Sequence, residues 1–156
     1  MPLLLPTLRI ELSKIMDQSS PLFEGFPETN IEVANRWSTA IKIYTTSIIP
    51  YSANSELAKE AFKLAILPIS AQSQNGAALF QTAFTSFASQ LAIGMAPAFT
   101  GIPPIVPINL LPVNPIGFGG GSSSSCVSLM STIIDTWFRT GSAVLNAPSA
   151  AVTIWN

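Results

Sequence analysis

The chain has 156 residues, with seven Lys plus Arg, eight Asp plus Glu, one cysteine and no histidine, a length that fits one domain. A formal net charge of -1 leaves no electrostatic footprint for nucleic acid or an anionic membrane. The missing histidine and single cysteine argue against zinc sites, Ser-His-Asp triads, Cys-His dyads and intramolecular disulfides.

Along the chain, Leu8, Leu12, Ile15 and Met16 recur at helical spacing after Pro6 and predict a helix over Thr7 to Asp17, the rival being a strand with Leu8, Ile10 and Leu12 on one face. Residues 18–28, with Pro21, Gly25 and Pro27, read as a loop whose Leu22, Phe23 and Phe26 are expected to pack onto the body. Thr29 followed by Glu32 is a capping box. The helix it opens carries the apolar stripe Ala34, Trp37, Ile41, Tyr44 and Ile48 and is expected to stop at Pro50. Ser52 or Asn54 caps a third helix, with Glu56 and Glu60 early, Lys63 late, and Leu57, Ala61, Phe62, Leu64 and Ala65 assigned to its buried side up to Pro68. The short connection at 49–53 predicts an αα-hairpin.

After a polar loop at Ser70 to Gly76, residues 77–95 carry the strongest periodicity. Phe80, Phe84, Phe87, Leu91 and Met95 line one side, and Gln81, Thr82, Thr85, Ser86, Ser89 and Gln90 line the other. The proline-rich run 97–116 has large aliphatics between its prolines, so it is expected to lie on a hydrophobic surface, its own or a neighbour's. Gly117 to Ser125 reads as a hinge. A last helix follows from Ser125 to Thr140, with Val127, Met130, Ile133, Ile134 and Trp137 inward, ended by Gly141. Val152 and Ile154 alternate as in an edge strand, and Trp155 anchors the tail. The expected architecture is therefore mainly α: four to five helices with an αα-hairpin, an extended Pro-rich arm and a short C-terminal strand. It divides into a helical body at 1–96, an arm and hinge at 97–124, and a last helix with tail at 125–156, all within one domain.

Charged residues make up 10% of the chain, against about 25% in an ordinary soluble domain. Moreover, none lies between Lys63 and Asp135 or after Arg139. Such a stretch is explained by membrane insertion, burial against partner subunits, or a flexible Pro-rich segment. The prolines of 97–115 exclude a spanning helix there. Residues 69–96 are long enough to span but carry Gln72, Gln74, Asn75, Gln81 and Gln90 and no C-terminal Lys or Arg anchor. A polar helix face without charge suits a close-packed subunit interface, where unpaired charges are costly to desolvate. The N-terminus lacks a basic segment and a long apolar run, so synthesis in a cytoplasm is expected.

Candidate sites are few. Gly117-Phe-Gly-Gly-Gly-Ser122 lacks the third glycine of the dinucleotide fingerprint and the Gly-Lys of the Walker pattern, so a hinge is the better reading. Cys126 near a helix start invites an activated thiolate, but no histidine is present to act as base, so a buried or incidental thiol is expected. The acids Glu11, Asp17, Glu24, Glu28, Glu32, Glu56, Glu60 and Asp135 contain no evident glycosidase pair. Seven of the eight fall on polar helix faces, caps or loops and read as solvated surface. Trp37 and Trp137 sit on apolar stripes and read as core. No catalytic, cofactor or metal residue is assigned.

The order of elements, with Trp37-Ser-Thr-Ala-Ile41, an Ala-rich second helix, Phe84 to Phe87 leading to Gly94-Met-Ala-Pro-Ala-Phe99, the Pro-rich arm, Asp135-Thr-Trp-Phe-Arg-Thr-Gly141 and terminal Trp155, resembles small virion structural proteins of contractile-tail bacteriophages. The pattern covers about residues 30–156. The resemblance implies a non-enzymatic tail or baseplate component located in the virion and present in copies. Its partners would be other virion proteins and copies of itself, contacted through the 97–116 arm and the C-terminal tail. A capsid or neck protein, or a holin-like membrane-active protein, is the alternative.

Overall fold

The computed structural model describes residues 3–68, 76–110 and 122–156. Among these are five helices, α1 (Leu5–Met16), α2 (Asn30–Thr45), α3 (Ser55–Ile66), α4 (Gly76–Ile93) and α5 (Ser123–Phe138), and three strands, β1 (Phe99–Ile102), β2 (Ser142–Leu145) and β3 (Val152–Ile154). The protein is thus mainly helical, with a small antiparallel sheet in the order β1-β2-β3.

Local chemistry accounts for the helix ends. Pro6 lies in the first turn of α1, where its missing N–H costs nothing. The Thr29 hydroxyl accepts from Glu32 N–H at 3.1 Å. The returning Glu32 carboxylate takes Glu28 N–H at 2.9 Å, one residue before the position a standard capping box uses. Helix α2 stops at Thr45, short of Pro50, and the Thr45 and Thr46 hydroxyls donate to the Ile41 and Lys42 carbonyls of its last turn. Asn54 occupies the N-cap of α3 but makes no side-chain cap bond. Helix α5 starts at Ser123, earlier than the expected Ser125, with the Ser122 hydroxyl accepting from Ser125 N–H at 3.2 Å.

Helices α2 and α3 pack together as the expected hairpin, α3 packs on α4, and α1 packs on both α2 and α5. Lys42 and Glu56 pair across the α2–α3 connection. One core joins these elements, including the fully buried Leu8, Leu12, Ile41, Phe62, Phe84, Phe87, Leu91 and Phe138. Its centre is aromatic: Phe62 meets Phe84 edge-on at 5.1 Å, and Phe84 meets Trp137 at 5.9 Å, arrangements that exploit the ring quadrupole.

Two expectations are corrected. In α3 the buried stripe is Ala58, Phe62 and Ile66, whereas Leu57 and Leu64 are 59% and 66% exposed. The small Ala58 belongs to the face pressed on neighbouring helices. In the 18–28 loop, Phe23 and Phe26 meet edge-on, and Leu22 and Phe26 stay exposed. The arm lies on a hydrophobic surface, as expected, and as far as Leu110 that surface is the protein's own: the run opens with β1, and Ile108 and Leu110 are buried in the core. Gln81 Nε2 donates to the Ile108 carbonyl and Trp137 Nε1 to that of Val106, which ties the run to α4 and α5. The expected polar loop at 70–75, the end of the arm and the glycines of the expected hinge lie outside the described residues. Among the described residues no helix is long and apolar enough to cross a membrane.

Candidate interaction surface

The sheet is built from three- and four-residue segments, one face of which turns towards the body. Register aligns Gly101, Ala143 and Thr153 on one face, and Thr100 with Val144 and Val152, and Ile102 with Ser142 and Ile154, on the other. The first face lies against the body. A Cβ at Gly101 would sit 2.5 Å from the Ala92 carbonyl, so only glycine permits this approach of β1 to the end of α4. Ala143 is fully buried, as is Trp155 on the same side of the tail.

The second face looks outward. It contains Thr100, Ile102, Ser142, Val144, Val152 and Ile154, with no ionisable side chain among them, and Val152 and Ile154 are 66% and 60% exposed. Asn146 closes one end, accepting from the Thr100 hydroxyl at 2.7 Å and donating to the Pro97 carbonyl at 2.9 Å. Beside β1 a shallow, mainly apolar groove of about 460 Å³ runs along Ile93, Ala96, Phe99 and Pro103. Ile93, Ile105 and Val106 add exposed apolar surface on the same uncharged portion of the chain.

The charged portion is engaged in its own structure. A groove of about 300 Å³ between α1 and α2 is lined by Glu11, Lys14, Glu24 and Arg36 among others. Lys14 pairs with Glu11 at 2.6 Å, and Arg36 pairs with Glu32 and donates to the Gly25 carbonyl. Hydrogen bonding from Glu28 N–H and Arg36 holds the Glu32 carboxyl below its ordinary pKa.

The acids read as solvated surface include two that are buried, Asp17 and Asp135. Asp17, at the C-terminal end of α1, accepts from the Ser19 and Ser123 hydroxyls at 2.6 and 2.7 Å, and these bonds hold its pKa down. Asp135 accepts from the Tyr44 hydroxyl at 2.6 Å and from Arg139 Nε at 2.9 Å. Ser123 and Asp135 stand at opposite ends of α5, about 18 Å apart at the helical rise, so the two acids do not form a glycosidase pair. Cys126 is buried and desolvation raises its pKa, which disfavours the thiolate. Trp37 and Trp137 are in the core, and Trp155 anchors the tail beneath Gly141. Among the described residues no group of three or more His, Cys, Asp or Glu is placed to hold a metal ion.

The outward sheet face escaped the sequence reading because β1 and β2 were not recognised. Neither Phe99-Thr-Gly-Ile102 nor Ser142-Ala-Val-Leu145 alternates apolar and polar residues, and each is only four residues long, so no local strand signal was available. No protein-family model, curated protein or solved structure matches the chain.

Proposed function

We propose that this chain is a non-enzymatic structural subunit of a bacteriophage virion, in its tail or baseplate, which assembles with copies of itself and with neighbouring virion proteins through uncharged apolar surface. The observation that carries the assembly part of this reading is the outward sheet face, where Ile102, Val152 and Ile154 stand exposed without a charge among their sheet neighbours. Such a face gains free energy when covered and incurs little electrostatic desolvation. The exposed Ile105 and Val106 on the arm extend the uncharged surface available to a neighbour. The virion setting rests on the resemblance in element order across Trp37, Phe84 to Phe99 and Asp135 to Gly141.

The test is mass spectrometry of density-purified particles of the phage or prophage that encodes the chain. The reading expects its peptides in the particle at constant stoichiometry to the tail proteins, retained through a high-salt wash. Peptides found in the infected cell but absent from intact particles would overturn it.

A further inference from the structure

The sheet has two outer edges, and they are not equivalent. Leu145 N–H donates to the Ala151 carbonyl and Trp155 N–H to that of Gly141. These bonds fix the alternation of the tail: residues 151, 153 and 155 aim their backbone groups at β2. The N–H and C=O groups of Val152, Ile154 and Asn156 therefore aim away from the sheet. Asn156 is already matched, exchanging both backbone bonds with Ile49 at 3.2 and 3.0 Å. Val152 and Ile154 have no such partner among the described residues. On the opposite edge, Phe99 N–H donates to the Met95 carbonyl and the end of α4 packs against β1, so that edge is partly occupied.

The open edge of β3 is bounded at both ends. Ile49 occupies the position beside Asn156, and Ala150, with φ 41°, turns the chain away before Val152. What remains is a three-residue edge centred on Thr153. Its shortness limits how much chain it can pair with, but within that length it has neither Lys nor Pro, no bulge, and two exposed β-branched side chains.

We propose that this edge pairs with the same edge of a second copy, antiparallel about a two-fold axis at Thr153. Val152 of each copy would then stand opposite Ile154 of the other, and every open N–H and C=O at both residues would find a partner. An edge of this length and centre matches itself residue for residue. Because it bears no ionisable side chain, a two-fold contact sets no like charges against each other. The two outward faces merge into one uncharged sheet surface available to further subunits. This inference rests on the assembly reading above and specifies one of its contacts.

The experiment uses the full chain with two exposed-face double variants, V152K/I154K and V152E/I154E, followed by sedimentation velocity of each alone and of their equimolar mixture. The proposed register sets Lys opposite Lys in the first variant and Glu opposite Glu in the second, so each is expected to self-associate at least about tenfold more weakly than the native chain. The mixture sets Lys opposite Glu and is expected to regain the association. Recovery in the mixture also shows that both variants are folded. Undiminished self-association of either variant alone would overturn the β3 pairing while leaving assembly through other surfaces intact. A native chain that stays monomeric at millimolar concentration would overturn self-assembly as well.

Discussion

The Tyr44 hydroxyl donates to Asp135 Oδ1 at 2.6 Å across 91 residues of sequence, joining α2 to α5 in the core. Asp135 in turn receives Arg139 Nε, while Arg139 Nη2 donates to the Leu3 carbonyl at 2.7 Å and Nη1 to the Asn156 side chain at 2.9 Å. One guanidinium thus holds both ends of the described chain against α5. Replacing Tyr44 by Phe leaves the carboxylate with Arg139 but removes a charge-assisted bond, and is expected to cost about 1.5–3 kcal/mol in urea unfolding.

Burial, and secondarily the bond to Asp135, raises the pKa of Tyr44 well above that of a free tyrosine. A raised folded-state pKa contributes stability that is fully present below the unfolded value, about 10, and is lost as pH rises above it. The chain has two tyrosines, and Tyr51 is 73% exposed. In a spectrophotometric titration, the Tyr44 tyrosinate signal is therefore expected to appear only with unfolding. A reversible two-tyrosine titration in the folded protein would contradict the buried bond.

Asp17 predicts the opposite limb. Its pKa is lowered by the Ser19 and Ser123 hydroxyls, so the stability it contributes is present above the ordinary value of 3.8 and is lost as pH falls through the folded-state value. Asp17→Asn is expected to lower the melting temperature at pH 7 and to have less effect at pH 2. Ser123→Ala should reproduce part of that pattern, because Ser123 supplies the link from α5.

At the tail, a Cβ on Gly141 would sit 2.5 Å from the Trp155 ring. Gly141→Ala is expected to displace the indole and destabilise by about 1–3 kcal/mol. Trp155→Ala should cost about 3–5 kcal/mol through the cavity it leaves. The Trp155 indole N–H is buried without an acceptor among the described residues, so Trp155→Phe is expected to cost much less than Trp155→Ala in the same melting experiment.

The helices were legible because their periodicity is local: Phe84, Phe87, Leu91 and Met95 are all buried, as their spacing predicts. Side-chain size misled the reading of α3, where Leu57 and Leu64 outweigh Ala58 by hydrophobicity although Ala58 faces the core. The sheet was only partly legible. Val152 and Ile154 alternate visibly, but the pairing of Phe99 with Leu145 joins segments 46 residues apart and leaves no local trace. The buried acids were misread for the same reason, since Asp135 is stabilised by Tyr44 from a distant helix. The uncharged surface could be anticipated from the gap between Lys63 and Asp135, but which residues display it depended on the sheet register.

The central claim is assembly through uncharged surface, and the most direct measurement is the mass of the purified full chain by light scattering between about 0.05 and 1 M salt. Contacts of this kind involve no paired charges to screen, so the account predicts a multimer whose mass does not fall as salt rises. A multimer that dissociates at high salt, or a monomer at every salt concentration, would contradict it.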